Sequence, residues 1–247
     1  MPAEDFKRQD SQEKPSLGGG LMERIILFGD SAGAKLAHFA LSRDPNYQVV
    51  AFTVDRAYLK DATFLGLPVV AFDEVQDAFP PQQCKMFIAI YANGMNKLRA
   101  ERCAQAKEKG YSLISYVHPQ AIVAQDLEMG ENCYISEGVV CRPFVKLEDD
   151  VLLMPGVFVG HDTVIMSHCF IGARAVIMGA NVVEPFCFVG PNATVMDQHR
   201  IGSESFIGGG VVLQKDSKEK EVYRAPEPIL MPLSSDKLVK LAFRRRV

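Results

Sequence analysis

The chain has 247 residues, 48% of them hydrophobic and 23% charged, so it is a globular protein with room for one large or two ordinary domains. Lys plus Arg number 27 against 30 Asp plus Glu, a net charge of −3, which lacks the basic footprint of a nucleic-acid binder. No apolar run approaches the ~18 residues that a membrane helix needs, and the six cysteines (84, 103, 133, 141, 169 and 187) form no CxxC pair and read as buried thiols.

Residues Met1 to Gly20 are polar, end in Gly18-Gly19-Gly20 and lack the apolar core of a signal peptide. The expectation is a disordered leader over 1–22 in a cytoplasmic chain. From Arg24 a different pattern begins. Arg24 to Phe28 is an apolar run, followed by Gly29-Asp30-Ser31-Ala32-Gly33-Ala34 and a helical stretch from Lys35 to Ser42. Val49 to Val54 is a second run, closed by Asp55; Pro68 to Phe72 is a third and Met86 to Ile90 a fourth. Met95 to Lys109 reads as a helix ending at Gly110, and 112–116 as a further strand.

Continuous apolar strands alternating with helices predict a parallel sheet covered on both faces. Ligands of such sheets sit beyond the carboxyl ends of the strands. Gly29, Asp30 and Ser31 stand at such an end, before a helix N-terminus that can hold a phosphate. The alternative is a plain strand-to-helix turn, because the segment is not a full GxGxxG. Asp55 ends the second strand, where dinucleotide folds place a ribose-binding acid.

The second half repeats. Every sixth residue from Val117 to Leu213 is apolar, seventeen positions without exception. At 48% hydrophobic composition a chance run of that length has a probability of about four in a million, so period six is a property of the fold. Four residues after most of these comes a smaller residue, with Leu127, Asn181 and His199 as exceptions, and glycine follows the aliphatic position at 130, 160, 172, 190, 202 and 208.

The hexad pattern resembles that of the hexapeptide-repeat acyltransferases, whose repeat builds a left-handed parallel β-helix of three short strands per coil. The whole chain resembles the sialic acid O-acetyltransferase and bacillosamine-type nucleotide-sugar N-acetyltransferase family. The matching pieces are Ile25 to Lys35, Phe87-Ile88-Ala89-Ile90 with Arg99 downstream, Val117-His118-Pro119, Gly160-His161-Asp162 and Ile207-Gly208-Gly209-Gly210. The fold expected is an α/β N-terminal domain with a parallel, Rossmann-like sheet over 23–116, then the left-handed β-helix over 117–215, then a cap and tail over 216–247. The resemblance implies acetyl transfer from acetyl-CoA to a sugar amine or hydroxyl in a homotrimer, with a nucleotide sugar held by the N-terminal domain. Neither a metal, nor nucleic acid, nor membrane insertion is expected.

Acyl transfer needs a base active near neutral pH and a donor for the oxyanion that develops on the thioester. His161 follows the inward Val159 at a corner of the prism, and Asp162 beside it can orient the ring. Eighteen residues on, at the same corner, stands Gly179. Parallel strands are ~4.8 Å apart, so its backbone N–H is expected beside His161, and the resemblance gives that glycine the oxyanion-donor role. CoA is expected in a groove between two β-helices of the trimer, passing Gly179, Ala180, Pro191 and Gly209, with Lys215 and Lys218 near its phosphates; a solvated cap is the other reading of those lysines. Arg244-Arg245-Arg246 reads as a solvated end.

Other histidines read as structural: His168 stacked over Asp150, His199 over Asn181, and His118 at the first coil, while His38 has no clear role. Departures from the family cluster where a sugar nucleotide would bind. The first turn lacks the family's histidine, Tyr91 replaces a glycine, and Met154-Pro155 replaces a small polar pair, which makes Met154 a candidate substrate contact. Three alternatives accompany the N-acetyltransferase reading. One is a sugar O-acetyltransferase with the same mechanism. Another is a zinc hydrase of the γ-carbonic-anhydrase type, poorly served because His161 and His168 are seven apart with no third histidine suitably placed. The last is a non-catalytic scaffold.

Overall fold

A computed structural model describes residues 22–242, with side chains through Leu238. The proposed leader, apart from Met22, and the Arg244-Arg245-Arg246 tail lie outside the described residues. Two compact units divide between Met86 and Phe87.

The strands of the first unit are β1 (Glu23–Phe28), β2 (Tyr47–Val54), β3 (Thr63–Phe64) and β4 (Leu67–Ala71), and β5 (Lys85–Ile88) runs across the division. Two helices, α1 (Ala32–Leu41) and α2 (Val75–Ala78), lie between them. Sheet order is β3-β4-β2-β1-β5, with β2 parallel to both β1 and β4. The crossover through α1 makes β1 and β2 parallel, and Ile25, Ile26, Leu27, Ala51 and Phe52 are wholly buried because such strands are covered on both faces. The α/β expectation holds with one exception: β3 and β4 form an antiparallel hairpin through Leu65-Gly66, both at positive φ. Helix α1 begins three residues earlier than the Lys35 start read from the sequence. Ser31 is extended and its carbonyl accepts from the Lys35 N–H at 3.0 Å, so Ala32, Gly33 and Ala34 form the first turn. Helix α1 buries the small residues Gly33, Ala34, Ala37 and Ala40 together with Leu41.

The second unit is a three-sided left-handed parallel β-helix. Its sheets hold six strands from Ile122–Val123 to Val212–Leu213, five from Glu128–Met129 to Arg200–Ile201, and seven from Tyr116–Val117 to Val222–Tyr223; we call these faces A, B and C. Each strand has two residues, and partners are eighteen apart, as in Phe158↔Val176 and Val159↔Ile177. The hexad aliphatics point inward and form one continuous core with Val139, Val157, Ala175, Cys187 and Ala193 at the narrower positions. From Asn132 to Gly210 each corner is a two-residue turn whose second residue is left-handed, as at Asp162 (φ 56), Ala180 (φ 55) and Gln198 (φ 64). The glycine before the turn is forced by packing: a Cβ on Gly160 would lie 2.5 Å from the Gly179 nitrogen.

Both ends of the β-helix differ from the sequence reading. The stretch 112–116 is not a sheet strand; Tyr116–Val117 is instead the first rung of face C. At the other end the last coil is shortened to sixteen residues, pairing Ile201 with Ser217 and Phe206 with Val222, so the helix runs past residue 215 to Tyr223. The hexad fails after Leu213 because two residues are missing from that turn. A final helix, α4, spans Ser235–Ala242.

The unit boundary also falls earlier than 116. Residues 87–115 pack on the β-helix through helix α3 (Lys97–Glu108), two residues shorter at its N-terminus than expected because Met95 and Asn96 are at positive φ. Face C carries an aromatic ladder, with Phe170, Phe188 and Phe206 stacked at 5.2 and 4.7 Å and 4° between planes, and Tyr91 against Phe170 at 6.0 Å. Ile88 N–H donates to Asn132 Oδ1 at 2.8 Å, and Asn96 Nδ2 to the Cys187 carbonyl at 3.2 Å.

All six cysteines are free and buried. Burial pushes the Cys133 and Cys141 thiols up to about 12 and raises Cys84 and Cys169 as well. Because the thiolate is the reactive form, native protein at about pH 8 is expected to release almost no nitrothiobenzoate from Ellman's reagent, and denatured protein to titrate all six thiols. Fast reaction of one or more thiols in native protein would show a cysteine in contact with solvent.

Candidate active site

The turn His161-Asp162 links Phe158–Val159 on face A to Val164–Ile165 on face B. The eighteen-residue register stacks the turns Gly179-Ala180 and Asp197-Gln198 above it along the A/B edge. His161 Nδ1 and Asp162 Oδ2 are 2.8 Å apart, and both side chains are largely exposed, at 64% and 59%. An ionised carboxylate only accepts, so Nδ1 carries the proton and Nε2 presents its lone pair. That nitrogen faces Gly179, where a Cβ would come within 2.7 Å of Nε2 and 3.0 Å of Cε1. Any side chain at 179 would therefore displace the imidazole. The arrangement is an accessible base, fixed in tautomer by a carboxylate, over a bare stretch of backbone.

One expectation needs correction here. The Gly179 N–H, read from the sequence as an approachable donor, is engaged: it donates to Asp197 Oδ1 at 3.0 Å. Asp197 stands one coil above at the same edge, within reach of the amide. The eighteen-residue step that connects His161 to Gly179 would have found Asp197 had it been taken once more.

The five residues assigned to CoA do not line one edge of the chain. Ala180 and Lys215 share the A/B edge with Gly179, and Lys215 Nζ lies 5.7 Å from the Tyr223 ring. Pro191 and Gly209 lie instead in turns between face C and face A, where the Gly209 Cβ position approaches the Pro191 carbonyl at 3.1 Å. Met154 is also at that C/A edge, before the Phe158–Val159 strand. Face A separates the two groups, because each strand occupies the full width between its corners. In the first unit, Gly29, Asp30 and Ser31 follow β1 and Asp55 follows β2, all at the carboxyl edge of the sheet; Gly29 has φ 117 and donates to the Thr53 carbonyl at 2.8 Å.

His168 is held at the B/C edge. Its Nδ1 is 2.9 Å from Asp150 Oδ2, and its ring stacks on Phe186 at 4.8 Å. Asp150 Oδ1 accepts from Arg99 Nε at 2.6 Å and from Asn132 Nδ2 at 2.8 Å. The Arg99 side chain is 0% exposed and that of Asp150 1%, so the charges are paired out of water. The structural reading of His168 matches this geometry, while the share taken by Asn132 had no sequence signal beyond its place one coil below Asp150. His199 differs in detail from the expected inward pair: its backbone N–H donates to Asn181 Oδ1 at 2.8 Å, but its ring turns out to Asp216 at 3.2 Å. His118 Nδ1 accepts from the Gln120 N–H at 3.1 Å, a local turn contact. His38 lies 5.6 Å from the Phe52 ring, and burial lowers its pKa. Among the described residues no group of three or more His, Cys, Asp or Glu side chains is placed to hold a metal ion, and no helix is long and apolar enough to cross a membrane.

A three-faced β-helix of hexads carries the exposed His161-Asp162 turn over Gly179. The bacterial transferase hexapeptide (six repeats) family matches residues 144–179, which span both His161 and Gly179. Over more than four fifths of the chain the fold is shared with solved bacterial acetyltransferases. Perosamine N-acetyltransferase from Caulobacter crescentus, solved with CoA and GDP-perosamine, is 26% identical with a TM-score of 0.72, over 84% of this chain and 94% of that one. A histidine-to-asparagine variant of the same enzyme is 27% identical with a TM-score of 0.70, over 82% and 92%. The acetyltransferase domain of PglB from Neisseria gonorrhoeae, solved with acetyl coenzyme A, shares the fold at 21% identity and a TM-score of 0.74, over 81% and 95%. No curated protein matches.

Proposed function

We propose that the chain is an acetyl-CoA-dependent acetyltransferase that modifies the amino group of a nucleotide-linked sugar in bacterial surface-glycan synthesis. The observation that carries this is the His161-Asp162 turn, with Nε2 facing the side-chain-free Gly179 on a hexapeptide β-helix. It is supported by the likeness, over more than four fifths of the chain, to an enzyme solved with CoA and GDP-perosamine.

In this reading acetyl-CoA supplies the activated acetyl thioester. His161 Nε2 takes the proton lost by the attacking nitrogen, Asp162 stabilises the imidazolium, and His161 returns the proton to the departing sulfur. The absence of a side chain at 179 leaves room for the thioester beside the base, and the Gly179 N–H is the donor toward charge developing on its oxygen. Gly29, Asp30, Ser31 and Asp55, in the proposed α/β domain over 23–116, hold the nucleotide sugar; the acyl chemistry belongs to the β-helix domain, 117–215.

A homotrimer is part of this reading, and the split between the edges supports an assembly of copies. Gly179, Ala180 and Lys215 lie on one edge of face A and Pro191 and Gly209 on the other, so a CoA groove touching both sets takes one edge from each of two neighbouring copies. Free, buried thiols suit a reducing compartment, and the cytoplasm is the proposed location. Transfer to a sugar hydroxyl would use the same base; the amine is preferred because the similar enzyme is named as an N-acetyltransferase.

The test is thiol release from acetyl-CoA across a panel of GDP-, UDP- and dTDP-linked amino sugars and free sialic acid. Turnover with at least one nucleotide-linked amino sugar is expected. Turnover with sialic acid alone would move the assignment to O-acetylation, and none with any acceptor in protein that also fails to bind CoA would favour a scaffold.

A further inference from the structure

Asp197 has no part in the chemistry described above, yet it occupies the atom on which that chemistry depends. Its Oδ1 accepts from the Gly179 N–H at 3.0 Å. The three turns His161, Gly179 and Asp197 lie in register along one edge, so the base, the bare backbone and the carboxylate are successive rungs about 4.8 Å apart. Asp197 is exposed and Gly179 is buried. The carboxylate thus covers a buried N–H from the solvent side, and water can receive that carboxylate when it leaves. An N–H has one hydrogen to give. While Asp197 holds it, a thioester carbonyl cannot be polarised by it, and a fixed negative charge sits where negative charge has to develop.

We propose that Asp197 is a gating residue for the thioester. In the ligand-free enzyme it caps the Gly179 amide, and the acetyl carbonyl has to displace it to take that hydrogen bond. The proposal rests on the acetyl-transfer reading and adds a specificity element. Acetyl-CoA, which has the carbonyl, bears the cost of displacement, whereas CoA, whose thiol needs no donor at that point, does not. Asp197 acts through Gly179 and is a positioning residue.

The consequence is a change in the ratio of two affinities. A hydrogen bond to an ionised group is strong enough for its loss to count by about tenfold. Asp197→Ala is therefore expected to tighten acetyl-CoA binding by about tenfold and to leave CoA binding unchanged. Asp197→Asn, whose side-chain oxygen still accepts from the amide without the charge, is expected to fall between. In turnover, kcat/KM for acetyl-CoA rises in the same order. A general loss of charge at the groove would move both ligands equally, so the ratio isolates the carbonyl.

Both ligands are titrated calorimetrically, without acceptor, into full-length wild type, Asp197→Ala and Asp197→Asn, and each variant's Tm is recorded. The expected result is an acetyl-CoA/CoA affinity ratio that rises from wild type through Asn to Ala. Binding of both ligands with an unchanged or reversed ratio overturns the gate and leaves the acetyltransferase reading standing. Failure of wild type to bind either ligand overturns that reading itself. If Asp197→Ala unfolds, the Asp197→Asn ratio decides alone, because it keeps an acceptor for the amide.

Discussion

His161→Asn is expected to lower kcat by about 10²–10⁴-fold, the contribution of a positioned base, while acetyl-CoA affinity stays within about twofold. The imidazole Nε2 faces Gly179 from an exposed turn, and asparagine keeps the size and polarity of the turn without offering a base. Asp162→Asn should cost less, since it removes the charge 2.8 Å from Nδ1 and leaves the ring in place. Gly179→Ala is expected to reach a similar loss by another route, because its Cβ would lie 2.7 Å from Nε2 and push the ring off its position. His168→Asn serves as the contrast: its ring is tied to Asp150 and stacked on Phe186, so kcat should hardly change while Tm falls. Measured with one acceptor, an inactive His168→Asn and an active His161→Asn would place the chemistry at the B/C edge instead.

Arg99→Ala is expected to be the most destabilising single change in the second unit, costing about 3–5 kcal/mol. Arg99 and Asp150 are both out of water, and Nε–Oδ1 is 2.6 Å. The same guanidinium donates to the carbonyls of Ile90, Tyr91, Asp150 and Cys169. Truncation leaves a buried carboxylate without its cation and several carbonyls without donors, which costs more than the pair contributes relative to an apolar one. The reverse change, Asp150→Asn, should be milder, because asparagine still accepts from Arg99 and Asn132. Urea unfolding at fixed protein concentration checks this, since any self-association would add to the apparent stability. A loss below about 1 kcal/mol for Arg99→Ala would mean that water reaches Asp150.

Much of this protein is determined locally. Period six persists because each two-residue strand turns one aliphatic inward, so Val159, Ile165 and Ile171 are core by the same rule. The contact between His161 and Gly179 follows from period six together with the three hexads per coil that the resemblance implies. The α/β unit is legible for a similar reason, with Ile25 to Phe28 and Val49 to Val54 continuous apolar runs because both faces of their sheet are covered. Local reading reaches its limit where a position depends on how segments pack. Residues 112–116 have the composition of a sheet strand, but Tyr116–Val117 pairs with Tyr134–Ile135 instead, because the first coil offers an unpaired edge. Arg99 is singled out in the sequence only by its place downstream of Ile88-Ala89-Ile90; its partner is set when α3 is laid on the β-helix and its guanidinium meets Asp150, fifty-one residues away. Pro191 and Gly209 look continuous with Gly179 in the repeat, yet they lie across face A from it, since adjacent corners of one coil point in different directions. The state of the Gly179 N–H belongs to the same class. Register places Asp197 at the right edge, but only the folded corner decides that its carboxylate, and not water or a ligand, takes that hydrogen.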